Sequence, residues 1–326
     1  MRNAFADEIT KIGQENPRLL LLAGDIGNKL FDRFKAAQHD RFFNCGIAEA
    51  NMISVAAGLA LNGFRPVCYT ITPFITARCL EQIRVDICYH EAPVIFVGVG
   101  AGLSYANNGA THHSCEDIAM LRGLPGLVIL CPADPSEVRS ALRAAVASHK
   151  PVYLRLGKKG EPQILEHNNP FTIGKAQNIV IGDEVAILSC GTMLPTALEV
   201  SKLLAVQGKQ FSVWNFPTVK PMDQRALEQI CRGHALIVTL EEHSHLGGFG
   251  SAVLENLADL GLTQTRLLRL GTSDRFLHEG GEQEHARKLY GLDIQSVAAR
   301  ITEAQNRIRR DLTLEGLVEQ SVSHQS

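Results

Sequence analysis

The sequence predicts an α/β protein of two domains with mainly parallel sheets flanked by helices. Three observations carry that prediction. Short apolar runs recur along the chain at strand length, and most of the stretches between them have helical spacing. The rhythm breaks once, at "GKKGEPQILEHNNP" (157–170), and then starts again. A chain of 326 residues is long enough for two domains of ordinary size.

In the first series the strand candidates are "LLLLAG" (19–24), "PVCYTI" (66–71), "APVIFVGVG" (92–100), "GLVILC" (126–131) and "VYLRL" (152–156). Helices fit at 46–62, 74–90 and 135–148. The second series has strands "EVAILSCG" (184–191), "FSVWNF" (211–216), "ALIVTLEE" (235–242) and "RLLRLG" (266–271), with helices at 195–207, 223–232 and 250–260. The expected organisation is a first domain over 1–156, a linker over 157–172, a second domain over 173–304, and a polar tail over 305–326 that frays from a helix.

Composition narrows the function. The formal net charge is −2 and 20% of residues are charged, which gives no reason to expect nucleic acid or an anionic membrane as a partner. Eight cysteines are scattered without a CxxC pair, several inside apolar runs, as reduced buried thiols would be. The first residues carry acids and no apolar signal core, and "LLLLAG" is far too short to span a bilayer. The expected location is cytoplasmic.

Glu49 opens the chemistry. It heads "EANMISVAAGLALNG", on the same helical face as Met52, Ile53, Ala56, Leu59 and Ala60. A first-turn carboxylate complements the helix dipole and reaches free amides. The other reading is a desolvated carboxyl that shares a proton with a buried ligand. Spacing leaves both open. "VGVGAGLSYANNGATHH" (97–113) fails the GxGxxG pattern and reads as a long polar loop at a strand's carboxyl end, where open α/β sheets bind ligands. His112 and His113 at its end are an acid/base pair or exposed loop residues. In "EEHSHLGGFGSAV" (241–253), His243 and His245 lack a defined third metal ligand, so no metal site is assigned. The glycines there either offer amides to an anion or let the chain turn tightly. No GxxxxGK[ST], GxSxG or HExxH occurs.

"DRFFNCGIAEANMISVAAGLALNG" closely resembles the pyrimidine-binding domain of transketolases, with the "IAEANM" block nearly intact. "AGDIGN" (23–28) resembles the family's acidic turn, and "PFITARCLEQIR" (73–84) its aromatic-bearing helix entry. "NGATHHSCEDIAMLRGLPGLVILCPAD" (108–134) is similar to its "GxTH … ED … LR … PAD" segment. "EVAILSCGT … VKPMD … TLEEHSHLGGFGSAV" looks like its C-terminal domain, with a flavour of deoxyxylulose-phosphate synthase in "GATHH" and "EEHSHLGGFG". The resemblance covers about residues 15 to 295.

The resemblance implies thiamine diphosphate as cofactor and transfer of a two-carbon ketol unit from a ketose to an aldose. Glu49 would touch N1′ of the aminopyrimidine and favour the tautomer that activates the thiazolium, a role for a carboxyl that holds a proton near neutral pH, which burial favours. Phe74 would stack on the aminopyrimidine, although Ile75 stands where the family's aromatic often sits. Asp25 and Ile47 complete the expected cofactor contacts. His112 would act on the substrate's hydroxyl or carbonyl oxygen, with Asn108 where the family often has Asp. Cys131 stands where transketolases carry the Arg before "PAD" that grips a sugar phosphate. Arg155, Lys158 or Lys159 of "LRLGKKG" is the expected replacement, unless the substrate is not phosphorylated.

A whole transketolase also has a diphosphate-binding domain with a Gly-Asp-Gly … Asn metal motif, and this sequence carries none. The expectation is a smaller subunit whose separate partner supplies most Mg²⁺ ligands and the diphosphate contacts, in an α₂β₂ assembly. The alternatives are the β subunit of a 2-oxo acid dehydrogenase's decarboxylating component, a deoxyxylulose-phosphate-synthase-like enzyme, and a non-catalytic regulatory partner.

Overall fold

A computed structural model describes residues 1–27, 29–158, 160–166, 171–205 and 210–323, without side chains after 311. Lys159 and Asn28 lie outside the described residues. The first sheet runs β10 (Thr218–Lys220), β5 (Val128–Leu130), β6 (Val152–Leu156), β4 (Ile95–Val99), β3 (Arg65–Ile71), β1 (Leu19–Ala23), β2 (Phe42–Asn44). Every neighbour pair is parallel except β10 with β5. The second sheet runs β12 (Leu267–Thr272), β11 (Leu236–Ser244), β8 (Val185–Ser189), β9 (Phe211–Asn215), β7 (Gln177–Val180), and only β7 is antiparallel. Both faces of the central strands are covered, so β1, β4, β6, β8 and β9 are buried at every residue. That double cover is why they read as unbroken apolar runs.

The helices are α1 (Arg2–Glu15), α2 (Asp32–Ala37), α3 (Glu49–Leu61), α4 (Thr72–Ile75), α5 (Leu80–Gln82), α6 (Asp117–Arg122), α7 (Pro135–Ala147), α8 (Leu194–Ala205), α9 (Gln224–Gly233), α10 (Phe249–Asp259), α11 (Gln283–Leu289) and α12 (Ile294–Ser323). The helix expected over 74–90 is broken into α4, a 3₁₀ turn at Ala77–Cys79, α5 and a π-helical stretch over Ile83–Tyr89. α1 is an addition to the expected elements. Phe5, Ile9 and Ile12 repeat on one face and are buried, while Arg139 and Arg143 of α7 pair with Asp7, Glu8 and Glu15 across the contact. Residues 305–323 of the expected tail continue α12, whose Val297, Ala298 and Ile301 join the core of the second sheet. β10 also departs from the expected partition. It follows the linker in sequence yet completes the first sheet.

Strand order locates a candidate crevice. From β1 the chain goes to β2 on one side, and from β3 it goes to β4 on the other. The carboxyl ends of β1 and β3 are therefore a topological switch point, where the flanking loops diverge and leave a cleft. Gly24 follows β1 there. A Cβ on it would lie 3.0 Å from Thr70 Oγ1 and 3.3 Å from Glu49 Cγ, so the three segments meet around one bare backbone position.

Candidate active site

Glu49 is the first residue of α3 and is 1% exposed. The loop from β2 delivers it through Gly46, which takes φ +67°, a conformation that suits glycine. Its two oxygens differ. Oε2 accepts from Arg78 at 2.8 Å, whereas Oε1 is buried with no partner. Glu49 is the acid of the first turn of α3, where it complements the helix dipole, and its recorded hydrogen bond comes from Arg78 and not from a backbone amide. Thr70 Oγ1, beside it, is a second buried polar atom without a partner. Buried polar groups are normally satisfied, and an orphan costs about 1–3 kcal/mol. Two orphans around one glycine are what a docking surface for a hydrogen-bonding ligand requires.

Aromatic rings wall the cleft. Phe74, in α4, is half-buried, with the Arg78 guanidinium 4.3 Å from its ring centroid. Ile75 faces the other way and is fully buried in the core, so Phe74 is the ring available for stacking. The His112 ring meets Phe74 edge-on at 5.2 Å and Tyr105 at 5.8 Å. Lys158 Nζ lies 4.6 Å from the Tyr105 centroid. His112 Nδ1 is 2.9 Å from Thr111 Oγ1, and burial, with His113 adding to it, lowers its pKa from the ordinary value. His113 belongs to the scaffold. It is buried, and its Nε2 lies 3.0 Å from the Ala106 carbonyl.

Asp25 sits on the turn after β1 with φ 52°, a left-handed conformation uncommon outside glycine. Asn44 Nδ2 donates to its Oδ1 at 2.9 Å, and Asn44 Oδ1 accepts from Gly46 N at 2.9 Å. One side chain thus ties the Asp25 turn to the approach to Glu49. Asn108 is exposed, in the short 3₁₀ turn Ala106–Asn108. Ile47 is 82% exposed. Beside the same turn, Arg2, Asp7, Gly27, Lys29 and Leu30 line a cavity of about 630 Å³. Arg2 Nε has no partner there.

Arg155 does not join the cleft, which corrects its assignment to substrate binding. It is buried between the sheets, donating through Nε to Asp117 Oδ2 at 2.7 Å and through Nη2 to the carbonyls of Ser114 and Glu242. Tyr153 donates to the same Asp117 oxygen at 2.6 Å. Burial works to raise Asp117, and the Arg155 guanidinium overcomes it, so the carboxyl stays below its ordinary range. His243 packs beside the pair, 3.8 Å from Asp117 and 3.7 Å from Glu241, and burial pushes its pKa down to about 4. The amides of "GGFG" do bind an anion, and it is the chain's own Glu241, which accepts from Phe249 N at 2.6 Å and Gly250 N at 2.8 Å. Glu242 accepts from Leu103 N, Gln283 and Arg287. Cys131 is buried at the end of β5. Among the described residues no cluster of His, Cys, Asp or Glu could hold a metal ion, and no helix is long and apolar enough to cross a membrane.

Comparisons with known proteins identify the family. The model of the transketolase pyrimidine-binding domain matches residues 1–162, and that of the transketolase C-terminal domain matches 174–297. A Methanocaldococcus jannaschii protein provisionally named a transketolase C-terminal section is 34% identical over 93% of this chain and 95% of its own length. The 6-deoxy-6-sulfo-D-fructose transketolase subunit SqwH of Clostridium sp. strain MSTE9 is also 34% identical, over 94% of this chain and 95% of its own. The 1-deoxy-D-xylulose-5-phosphate synthase 1 of Geobacter sulfurreducens is 36% identical over 92% of this chain, which spans 47% of that protein. Among solved structures, a split gene transketolase described as an inactive beta4 tetramer superposes with a TM-score of 0.85 at 33% identity, over 93% of this chain and 97% of that one. The chain belongs to the transketolase family and corresponds to its C-terminal half, the pyrimidine-binding and C-terminal domains.

Proposed function

We propose that this chain is the smaller subunit of a two-subunit, thiamine-diphosphate-dependent transketolase that moves a two-carbon ketol unit from a ketose to an aldose. The observation that carries the reading is the buried Glu49 Oε1 with no partner at the switch point, its other oxygen accepting from the Arg78 that covers the Phe74 ring. Thiamine diphosphate, when bound, supplies the electron sink for the two-carbon unit. Glu49 Oε1, buried and without a partner, would hydrogen-bond a pyrimidine nitrogen of that cofactor. Phe74 offers the stacking face, Asp25 and Thr70 border the cleft, and Ile47 extends its apolar rim. His112, its pKa lowered, is neutral near pH 7 and uses Nε2 to hold a substrate hydroxyl or oxygen while Thr111 fixes Nδ1. Asn108 and Lys158 stand at the loop edge for the sugar and its phosphate, and Arg2 and Lys29 are further cations for a phosphorylated substrate.

A separate subunit supplies the diphosphate contacts and most Mg²⁺ ligands. Supporting this, Phe43, Ile47 and Val55 are exposed around the entry to α3. An α₂β₂ complex in the cytoplasm follows from the reading. The second reading, a deoxyxylulose-phosphate-synthase-like enzyme with a 2-oxo acid donor, draws on relatives that this chain spans by only about half. Calorimetry and ketol-transfer assay of the chain with and without its partner test the proposal. Binding and transfer should need both polypeptides. Micromolar cofactor binding with ketol transfer by the lone chain would refute the split, and CO₂ release from a 2-oxo acid would favour the second reading.

A further inference from the structure

The loop that carries His112 leaves the first sheet after β4 and is fastened at its neck by the second domain. Gly102 and Ser114 exchange backbone hydrogen bonds at 2.9 Å and close the neck. Glu242, near the end of β11, reaches into it, and its Oε1 accepts from Leu103 N at 2.7 Å. Gly102 has φ +61°, and a Cβ on it would lie 2.5 Å from that same Oε1, so the close approach requires bare backbone. The carboxylate is itself held by Gln283 Nε2, at 2.9 and 3.1 Å, and by Arg287 Nε, both of α11. We propose that Glu242 is a positioning residue for the substrate step, through which the second domain sets where His112 stands. The inference rests on the proposed function, which gives His112 its substrate.

The route from Glu242 to His112 is short. Leu103 leads directly into Tyr105 and Ala106. The Tyr105 ring meets His112 at 5.8 Å, and the Ala106 carbonyl lies 3.0 Å from Nε2 of His113. The groups that locate His112 therefore hang from the segment that Glu242 pins. Beneath that segment Leu103, Ala106 and Cys115 pack with Leu277 and Ala286 of the second domain in one buried cluster. The tip of the loop has no such bed, since Asn107, Asn108, Ala110 and Thr111 are exposed. Its placement depends on the neck, and a charged acceptor with several donors is a strong anchor there. Glu49 is set by other segments, α3 and the turn that bears Arg78. Loosening the neck should therefore spare cofactor activation and disturb the substrate, where a displacement of about 1 Å can cost about a hundredfold in rate.

The test uses the chain in complex with its partner subunit, as wild type, Glu242→Gln, Gly102→Ala and Gln283→Ala. Glu242→Gln weakens the anchor, and Gly102→Ala pushes the loop off it without changing a charge. Gln283→Ala removes one holder at a partly exposed position, which keeps the test decisive should the other two fail to fold. The kcat and KM for the ketose donor are read beside thiazolium C2–H exchange, melting temperature and deuterium uptake over residues 100–114. Glu242→Gln and Gly102→Ala should lower kcat/KM about a hundredfold and Gln283→Ala about fivefold, with C2–H exchange within about twofold of wild type. Uptake over 100–114 should be faster in all three. A purely structural role would instead lower the melting temperature and both reactions together, and that result overturns the proposal. So does a wild-type kcat/KM in the folded variants. Absence of ketol transfer by the wild-type complex overturns the functional reading, and this inference with it.

Discussion

Two clusters of buried charge lie within one chain, and they are built to opposite rules. Between the sheets, Asp117, Arg155, Tyr153, His243, Glu241 and Glu242 pack together, and each carboxylate there accepts several donors. At the switch point, Glu49 has one half-exposed partner and one free oxygen, and Thr70 has none. Both clusters contain acid, cation and aromatic residues, so residue type does not separate them. Completion does. In the first the carboxylates are partnered within the chain, while in the second Glu49 Oε1 is left without a partner.

Substitutions should break the two clusters in different ways. The largest effect is expected at Glu49→Gln, which removes the proton-sharing carboxyl and leaves packing intact. Thiazolium C2–H exchange in the complex should fall about a thousandfold with an unchanged melting temperature. Exchange at the wild-type rate would remove Glu49 from the chemistry. Asp117→Ala should do the reverse and cost about 3–5 kcal/mol of stability, because it strands the buried Arg155. Denaturant unfolding reads this, and Asp117→Leu combined with Arg155→Met should recover most of the loss.

The interdomain cluster should also set an acid limit. An unfolded histidine takes its proton below about pH 6.5, but His243, buried beside Asp117 and Arg155, does so only below about 4. The unfolded chain binds the extra proton in that window. Stability from this group is therefore fully present above pH 6.5 and declines by about 3 kcal/mol as pH falls to 4. Glu241 and Glu137, both raised to about 7 by burial, act in the opposite sense and lose stability as pH rises from 4.5 to 7. Urea midpoints between pH 4 and 8 should show the acid limb flatten in His243→Gln; an identical limb would exclude the assignment. The smallest effect belongs to Lys158→Ala, which should raise KM for a phosphorylated sugar several-fold, about 1 kcal/mol, and leave unphosphorylated substrates alone. Equal changes for both would mean that Lys158 only props the Tyr105 ring.

Much of this was legible in the sequence where the signal is local. The doubly covered strands announce themselves as apolar runs, and Glu49 stands out as a carboxylate on an apolar face. β10 is three residues long and pairs only because β5 lies nearby in space, so no local pattern marks it. Arg155 and Lys158 sit three residues apart in one basic segment, yet one enters an ion pair between the sheets and the other lies over Tyr105. Spacing cannot predict that division, because it depends on what the second domain brings against β6. Arg78 lies in "PFITARCLEQIR", and a lone cation near a helix ordinarily reads as solvated.

The pairing of β10 with β5 also has a consequence for synthesis. The edge of the first sheet is completed by a strand on the order of ninety residues downstream of β5. At ribosomal rates of about 5–20 residues per second, the nascent chain carries an open, hydrogen-bond-hungry edge for on the order of ten seconds. A gene interrupted anywhere between β5 and β10 would leave that edge bare in one product and the covering strand in the other. Such fragments should aggregate when expressed singly and regain solubility when coexpressed.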